Sequence, residues 1–213
     1  MWTELFASWR VFLTGFLGTL SVSLVAMLLM LVISLAVGIG CISSHKALRG
    51  MGKAYMRFFQ NTPFLIQLFF LFHVLPLCGL TLPTFVVGSV SLALYTASFG
   101  SAVIESSIRA VPQGQTEAAS SQGFGFFQSM FRVILPQAMK IALPPMTNQM
   151  INLVKNSSVL AMIAGGELMY HADSWSADHA IYGPTFVLTA VLYLSVCLPL
   201  SRLTKALEAK TRC

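Results

Sequence analysis

Long stretches without a charged side chain dominate this sequence. No Asp, Glu, Lys or Arg occurs between Arg10 and Lys46, or between Arg57 and Glu105. A helix needs roughly 20 apolar residues to cross the hydrocarbon core of a bilayer, and both stretches exceed that length. Only 9% of the 213 residues are charged, against about 25% in an average soluble domain. The chain is therefore predicted to be a membrane protein.

Four apolar runs predict five membrane-spanning helices. The run after Arg10 gives one span, and the run after Arg57 gives two, separated by the turn-forming stretch LPLCGLTLP. The runs after Lys140 and Asp178 give one span each. The predicted spans are about 11–40, 58–77, 84–104, 141–166 and 181–201, in a single domain that covers 1–213. The predicted fold class is an all-α polytopic membrane protein.

The basic residues predict the orientation of these spans. Lys and Arg concentrate in the cytoplasmic segments of membrane proteins. Eleven of the 13 follow spans one, three and five: Lys46, Arg49, Lys53, Arg57, Arg109, Arg132, Lys140, Arg202, Lys205, Lys210 and Arg212. The N-terminus is therefore predicted outside and the C-terminus in the cytoplasm. The net charge of +6 indicates topology rather than nucleic-acid binding. The acidic segment 167–178 is predicted to be an external loop, and the spacing of His171 and His179 with Asp173 and Asp178 fits no metal-ligand signature.

The only long segment between predicted spans, 105–140, lies on the predicted cytoplasmic side. Pro112 suits the first turn of a helix, and Gly123 suits a left-handed end to that helix. A second, amphipathic helix ending near Pro136 is predicted, because apolar residues recur at spacings of three and four. These residues are Phe124, Phe127, Phe131 and Ile134. Such a face can lie on the membrane or dock on a soluble partner, and the spacing does not separate these alternatives.

Polar residues inside the predicted spans mark a candidate path through the membrane. Lys155 lies within the fourth span, where a charge costs at least about 2.5 kcal/mol, so it should face a cavity or a partner. The candidate path residues are Thr62, Gln67, Glu105, Asn148, Asn152, Lys155, Asn156 and Ser158. Each can instead pair with a neighbouring helix, and both alternatives stay open. Glu105 also lies one helical turn from Arg109, with which it can form an ion pair.

The segment after Gly114-Gln115 reads Glu117-Ala118-Ala119, three residues, Gly123, and after nine more residues Val-Ile-Leu-Pro-Gln-Ala. This pattern resembles the EAA loop of permease subunits of binding-protein-dependent ABC importers. Two further segments look like those of the permeases for polar amino acids. They are LPPMTNQMINLVKNSSVLAMIAGGEL (143–168) and Asn61-Thr62-Pro63 with Gln67. The resemblance covers about 58–168.

The resemblance implies a dimer in a bacterial cytoplasmic membrane, formed with a second copy or a paralogue. Its EAA loops would contact a cytoplasmic dimer of ATP-binding subunits, and an extracytoplasmic binding protein would deliver a polar amino acid. The residues implied at the ATPase contact are Glu117, Ala118, Ala119, Gly123, Phe124 and Phe127. Membrane lipid is the other expected partner. ATP and Mg²⁺ would be bound by the partner subunit, because this chain lacks the Gly-x4-Gly-Lys-Ser/Thr loop, so no enzymatic activity or cofactor of its own is expected.

The sequence departs from the family pattern at positions that bear on the substrate. Ala102 and Glu105 stand where the family has Glu and Arg, Gln60 replaces a base, and Asn156 replaces an Asp. These changes favour a cationic or neutral amino acid, such as arginine or glutamine, over an acidic one. Two other function classes stay open. An ion-coupled carrier or channel would be favoured by repeated halves, and an intramembrane hydrolase by a Gly-x-Ser-x-Gly motif, and the sequence shows neither.

Overall fold

The computed structural model describes residues 1–211, with side chains for residues 1–209. Arg212 and the side chain of Lys210, which the topology prediction uses, lie outside the described residues. Within them the chain is helical and contains no strand, as predicted. The helices are α1 (Trp2–Ala7), α2 (Trp9–Ile42), α3 (Lys46–Asn61), α4 (Phe64–Leu77), α5 (Thr84–Arg109), α6 (Gln113–Ser121), α7 (Phe126–Ser129), α8 (Leu135–Asn156), α9 (Leu168–His179) and α10 (Gly183–Thr211). A π-helical segment (Met130–Ile134) and a 3-10 segment (Ser157–Ile163) flank α8.

Three described helices are long and apolar enough to cross a bilayer: α2, α5 and α10. They coincide with the predicted spans 11–40, 84–104 and 181–201. α2 has 34 residues. At 1.5 Å per residue it is about 51 Å long, which exceeds a hydrocarbon core of about 30 Å and leaves room for tilt. Small residues let it approach α5 closely, since a Cβ on Gly38 would lie 2.6 Å from the Ile104 Cβ.

The predicted second span, 58–77, differs from the structure because it contains a sharp bend. α3 ends at Asn61, α4 begins at Phe64, and the two helices meet at 103°. Proline restricts the preceding residue to extended backbone and has no N–H to donate, so Thr62-Pro63 breaks the helix. α4 has 14 residues. It is about 21 Å long and cannot cross a bilayer core alone. The described helices therefore supply three spans, or four if the bent pair counts as one.

The predicted fourth span, 141–166, is part of a longer helical rod that begins at Phe126. α7, the π-helical segment, α8 and the 3-10 segment follow one another directly. The prediction that a helix ends near Pro136 is wrong, because Pro136 lies in the first turn of α8. The wider π-helical turn before it accommodates a ring that has no N–H. α8 falls outside the three strongly apolar helices and packs against α5 and α10.

The main apolar core lies where α2, α5 and α8 meet. Its fully buried members include Met30, Leu92 and Leu153, one from each helix. A second cluster, with Phe12, Leu168 and Trp175, joins α2 to α9 at the other end of the molecule. The main core fixes α5 against α8, and a polar cavity opens between those two helices.

Candidate functional site

A polar cavity of about 300 Å³ lies between α5 and α8. Side chains from the second half of α8 form one wall, at spacings of three and four that share a helix face. The lining residues are Tyr95, Thr96, Phe99, Gln149, Asn152, Lys155 and Asn156. Three of the predicted path residues therefore meet in one cavity. Tyr95, Thr96, Phe99 and Gln149 join them without having been predicted. The rings of Tyr95 and Phe99 lie four residues apart and so share one face of α5.

Lys155 supplies the only formal charge in this cavity lining. It lies in the last turn of α8, directly before the 3-10 segment. Its side chain is exposed, and it forms no ion pair within the described residues. The Thr96 hydroxyl is buried and has no hydrogen-bond partner among the described residues. An unpaired ammonium, three side-chain amides and a free hydroxyl can bind a carboxylate together with a second polar group.

The other two candidates near the end of α8 lie outside the cavity. Asn148 lines a groove between α8 and α10, together with Ile151 and Thr204. Ser158 is half-buried, and its hydroxyl donates to the Lys155 carbonyl at 2.8 Å. The structure therefore divides the predicted polar stripe between two sides of α8.

Thr62 and Gln67 lie at the α3–α4 bend, away from the polar cavity. Gln67 Nε2 lies 2.6 Å from Thr62 Oγ1, 3.1 Å from the Thr62 carbonyl and 3.0 Å from the Phe59 carbonyl. These contacts satisfy carbonyl groups that the end of α3 leaves without intrahelical donors. Both side chains border an apolar groove with Phe58, Phe59 and Ile66. Their arrangement therefore holds the bend together.

Glu105 also lies outside the cavity lining. Its Oε1 accepts hydrogen bonds from Arg109 Nε at 3.1 Å and from Arg109 Nη2 at 2.9 Å. The predicted ion pair with Arg109 is confirmed. Glu105 is thereby neutralised at the end of α5 and places no negative charge beside Lys155.

α6 and Gly123 form the local structure that the EAA sequence predicts. Gly123 has φ of +80°, its N–H donates to the Ser120 carbonyl at 2.9 Å, and the Phe124 N–H donates to the Ala119 carbonyl at 3.1 Å. This pair of bonds is a Schellman motif, which confirms the predicted left-handed end. Glu117, Ala118 and Gly123 are exposed, whereas Ala119 is buried. The exposed residues are free for contact with another protein.

The phenylalanines after Gly123 do not form the single face that their spacing predicts. Phe127 is 72% exposed, and Phe126 and Phe131 are also exposed. Phe124 is half-buried and Ile134 is buried in the main core. The π-helical turn changes the number of residues per turn between Phe127 and Ile134, so the α-helical spacing fails there. Three exposed rings remain as an apolar surface on this loop.

Glu167, which the sequence predicts to lie in an external loop, is a buried carboxylate at the start of α9. It is fully buried, and it begins α9 by accepting hydrogen bonds from the backbone N–H groups of Met169 at 2.7 Å and Tyr170 at 2.8 Å. The Tyr193 hydroxyl of α10 donates to its Oε2 at 2.9 Å. Glu167 lies between the predicted spans. Burial raises the pKa of its carboxyl above the ordinary value, against the opposing effect of these three donors. An acid directly before a helix was the available signal.

Comparison with known proteins identifies the family. A sequence profile described as "Binding-protein-dependent transport system inner membrane component" matches residues 30–212. The chain belongs to this family. The probable glutamine ABC transporter permease GlnM of Bacillus subtilis (strain 168) is 41% identical over 197 residues, which cover 92% of this chain and 91% of that protein. The L-cystine transport system permease TcyB of the same organism is 28% identical over 205 residues, covering 95% and 87%.

Solved structures share the fold of this permease over nearly its full length. A crystal structure of an amino acid ABC transporter with histidines matches with a TM-score of 0.89 and 27% identity, covering 99% of this chain and 98% of that chain. The inward-facing MetNI methionine ABC transporter matches with a TM-score of 0.76 at 21% identity, covering 94% and 98%. The predicted ABC importer permease fold is confirmed. The count of five spans and their orientation stay predictions.

Proposed function

We propose that this permease carries a neutral polar amino acid of the glutamine type through the cavity between α5 and α8. The observation that carries the proposal is the unpaired Lys155 ammonium beside the amides of Gln149, Asn152 and Asn156. A substrate α-carboxylate suits the ammonium, and a polar side chain suits the amides. The glutamine and cystine permeases among the relatives support an amino-acid substrate.

The same cavity argues against a cationic substrate, which the sequence alone left open. The α-carboxylate of an amino acid balances its own α-ammonium, whereas a cationic side chain would add a second positive charge near Lys155, and no Asp or Glu lines this cavity. Glu105, which favoured a cation, is already paired with Arg109. A neutral side chain therefore fits the described lining better than that of arginine.

The exposed part of α6, with Gly123 and the rings of Phe126 and Phe127, is the proposed contact with a cytoplasmic ATP-binding subunit. That subunit would bind ATP and Mg²⁺, and an extracytoplasmic binding protein would deliver the substrate. A second copy or a paralogue would complete the membrane dimer. The exposed apolar rings support this assignment, because large exposed apolar patches mark interaction sites. The N-terminus outside and the C-terminus in the cytoplasm complete the proposed topology.

The test is uptake of labelled glutamine into proteoliposomes that contain the permease, its ATP-binding subunit and its binding protein. We expect Lys155→Met to lower uptake about 10- to 100-fold, because a hydrogen bond to a charged group contributes about 1.5–3 kcal/mol. Lys140→Met is the matched control, because Lys140 is an exposed lysine of α8 outside the cavity lining. It should change uptake less than about twofold.

Three outcomes would overturn parts of this proposal. Equal uptake by Lys155→Met and the parent would move Lys155 out of the substrate path. Arginine uptake exceeding glutamine uptake with a binding protein that accepts both would reject the neutral-substrate assignment. Uptake that proceeds unchanged without ATP would replace the importer function by that of an ion-coupled carrier.

A further inference from the structure

α3 carries a basic stripe directly after the long helix α2. Lys46, Arg49, Lys53 and Arg57 follow one another at spacings of three, four and four, which places them along one side of the helix. No acid occurs between residues 43 and 62. This stripe therefore has no neutralising carboxylate on its own helix.

The side of α3 away from this stripe is apolar and open. Met51 is 71% exposed and Phe58 is 59% exposed, and Leu48 is exposed beside them. Between α3 and α2 lies an apolar groove of about 350 Å³, bordered by Val37, Gly40, Leu48, Met51 and Tyr55. Helices with one basic and one apolar side lie in the plane of the membrane interface, with the apolar side in the acyl region.

Hydrogen bonds hold α3 in this position. The Tyr55 hydroxyl donates to the Leu94 carbonyl, and Gln60 Nε2 donates to the Ser98 carbonyl at 2.9 Å. Arg49 Nη1 donates to the Ser43 carbonyl at 3.1 Å. α3 is therefore fixed to α5 and to the end of α2, and its stripe and groove are already formed in the folded chain.

The groove continues an apolar stripe of α2. Leu24, Leu28, Val32 and Ala36 recur every four residues, and all four are exposed. Ala36 and Gly40 of the same series border the groove. An extended apolar chain can run along this stripe into the groove and end beside the bases of α3. That combination of a long apolar tail with an anionic head is the chemistry of an anionic phospholipid.

We propose that α3 and the α2–α3 groove bind an anionic phospholipid, with its phosphate at the basic stripe and an acyl chain in the groove. The site rests on the proposed function only in requiring that the chain lies in a membrane. A soluble partner would meet the stripe but leave Met51 and Phe58 uncovered, so the lipid accounts for both sides of α3.

Native mass spectrometry of the full-length permease in detergent tests this site. The probes are phosphatidylglycerol and phosphatidylcholine with identical acyl chains, titrated separately. We expect phosphatidylglycerol to bind at least about tenfold more tightly, because each base near an anionic surface strengthens binding about fivefold. Equal binding of the two lipids by the parent chain would overturn the proposal without any variant.

A matched pair of variants locates the site. Lys46→Gln with Arg57→Gln removes two exposed bases that form no side-chain hydrogen bond or ion pair among the described residues. This variant should bind phosphatidylglycerol about 30-fold more weakly than the parent chain. Arg132→Gln with Lys140→Gln removes two exposed bases elsewhere and should retain the parent affinity. Equal losses in the two variants would show unspecific attraction and would reject the site on α3.

The groove has its own test. A Cβ on Gly40 would have Leu48 Cγ as its nearest neighbour at 3.5 Å, an ordinary contact distance, and Gly40 borders the groove. We therefore expect the side chain of Gly40→Leu to extend into the groove. This substitution should weaken the binding of phosphatidylglycerol with long acyl chains about tenfold more than the binding of phosphatidylglycerol with six-carbon acyl chains. The reason is that only a long acyl chain reaches the groove. Size-exclusion chromatography and circular dichroism check that each variant is folded. Unchanged lipid binding together with loss of a co-purifying ATP-binding subunit would assign the basic stripe to a protein partner instead.

Discussion

Replacement of Tyr193 by phenylalanine should destabilise the permease, because it removes a side-chain hydrogen bond between α10 and a fully buried carboxylate. Tyr193 Oη lies 2.9 Å from Glu167 Oε2, and Glu167 is 0% exposed. Water cannot replace the lost donor there. A hydrogen bond to a charged group contributes about 1.5–3 kcal/mol, so the unfolding free energy should fall by about that amount. The phenylalanine ring keeps the apolar packing.

Thermal unfolding of the purified permease in detergent measures this effect. For a chain of this size about 1 kcal/mol corresponds to about 2–4 °C, so Tyr193→Phe should lower the midpoint by about 3–12 °C. Glu167→Gln should lower it further, because a side-chain NH₂ would face donors that now meet a carboxylate oxygen. Tyr182→Phe is the control, because Tyr182 is exposed and its hydroxyl forms no hydrogen bond within the described residues. Equal midpoints for Tyr193→Phe and Tyr182→Phe would refute the reasoning.

Three more substitutions test other parts of the fold. Gly38→Ala should lower stability by about 1–3 kcal/mol in the same assay, because its Cβ would lie 2.6 Å from the Ile104 Cβ. Gly40→Ala is the control and should not destabilise the chain, because its Cβ would lie 3.5 Å from its nearest neighbour, Leu48 Cγ. Gly123→Asp should abolish ATP-driven uptake with normal membrane insertion, because it places a charge on the exposed proposed docking surface; normal uptake would contradict that surface. Gly123→Asn tests the backbone separately, since asparagine tolerates the left-handed conformation and should retain more uptake than the aspartate variant. Pro63→Ala should straighten the α3–α4 bend, measured as a longer spin-label distance between the two helices, and an unchanged distance would place the cause of the bend elsewhere.

The sequence was informative where a single property acts over a long stretch. The absence of charge between Arg10 and Lys46 is enough to predict α2, because no other structure satisfies so long an apolar backbone in lipid. Gly123 was predictable for a local reason, since its left-handed backbone depends on residues within one turn. The family motif then identified the surrounding loop.

Features that depend on distant parts of the chain were missed. In the sequence Glu167 looks like an acid of an external loop, because its hydrogen-bond donor Tyr193 lies 26 residues away. The backbone N–H of the next residue, Leu168, donates to the Thr19 hydroxyl, which lies 149 residues away. Asn148 and Asn152 share a predicted stripe, yet α10 packs on only one side of α8 and separates them. The bend after Thr62 was missed for another reason. The apolar run continues through Pro63, and a single proline hardly changes the mean hydropathy of a run of about 20 residues.

The contacts at the two ends of α2 have a mechanical consequence. Near one end Gly18 touches the Gly166 backbone before α9, and near the other Cys41 touches Gly52 of α3. A Cβ on Gly18 would clash with the Gly166 carbonyl oxygen and one on Gly52 would lie 2.6 Å from Cys41 Sγ, so both contacts are close. We therefore expect α2 to move as one rigid helix between them. Gly18 and Cys41 are about 35 Å apart along the helix, so a tilt of about 10° moves one end by about 6 Å relative to the other. We expect a displacement of α9 to be transmitted through α2 to α3.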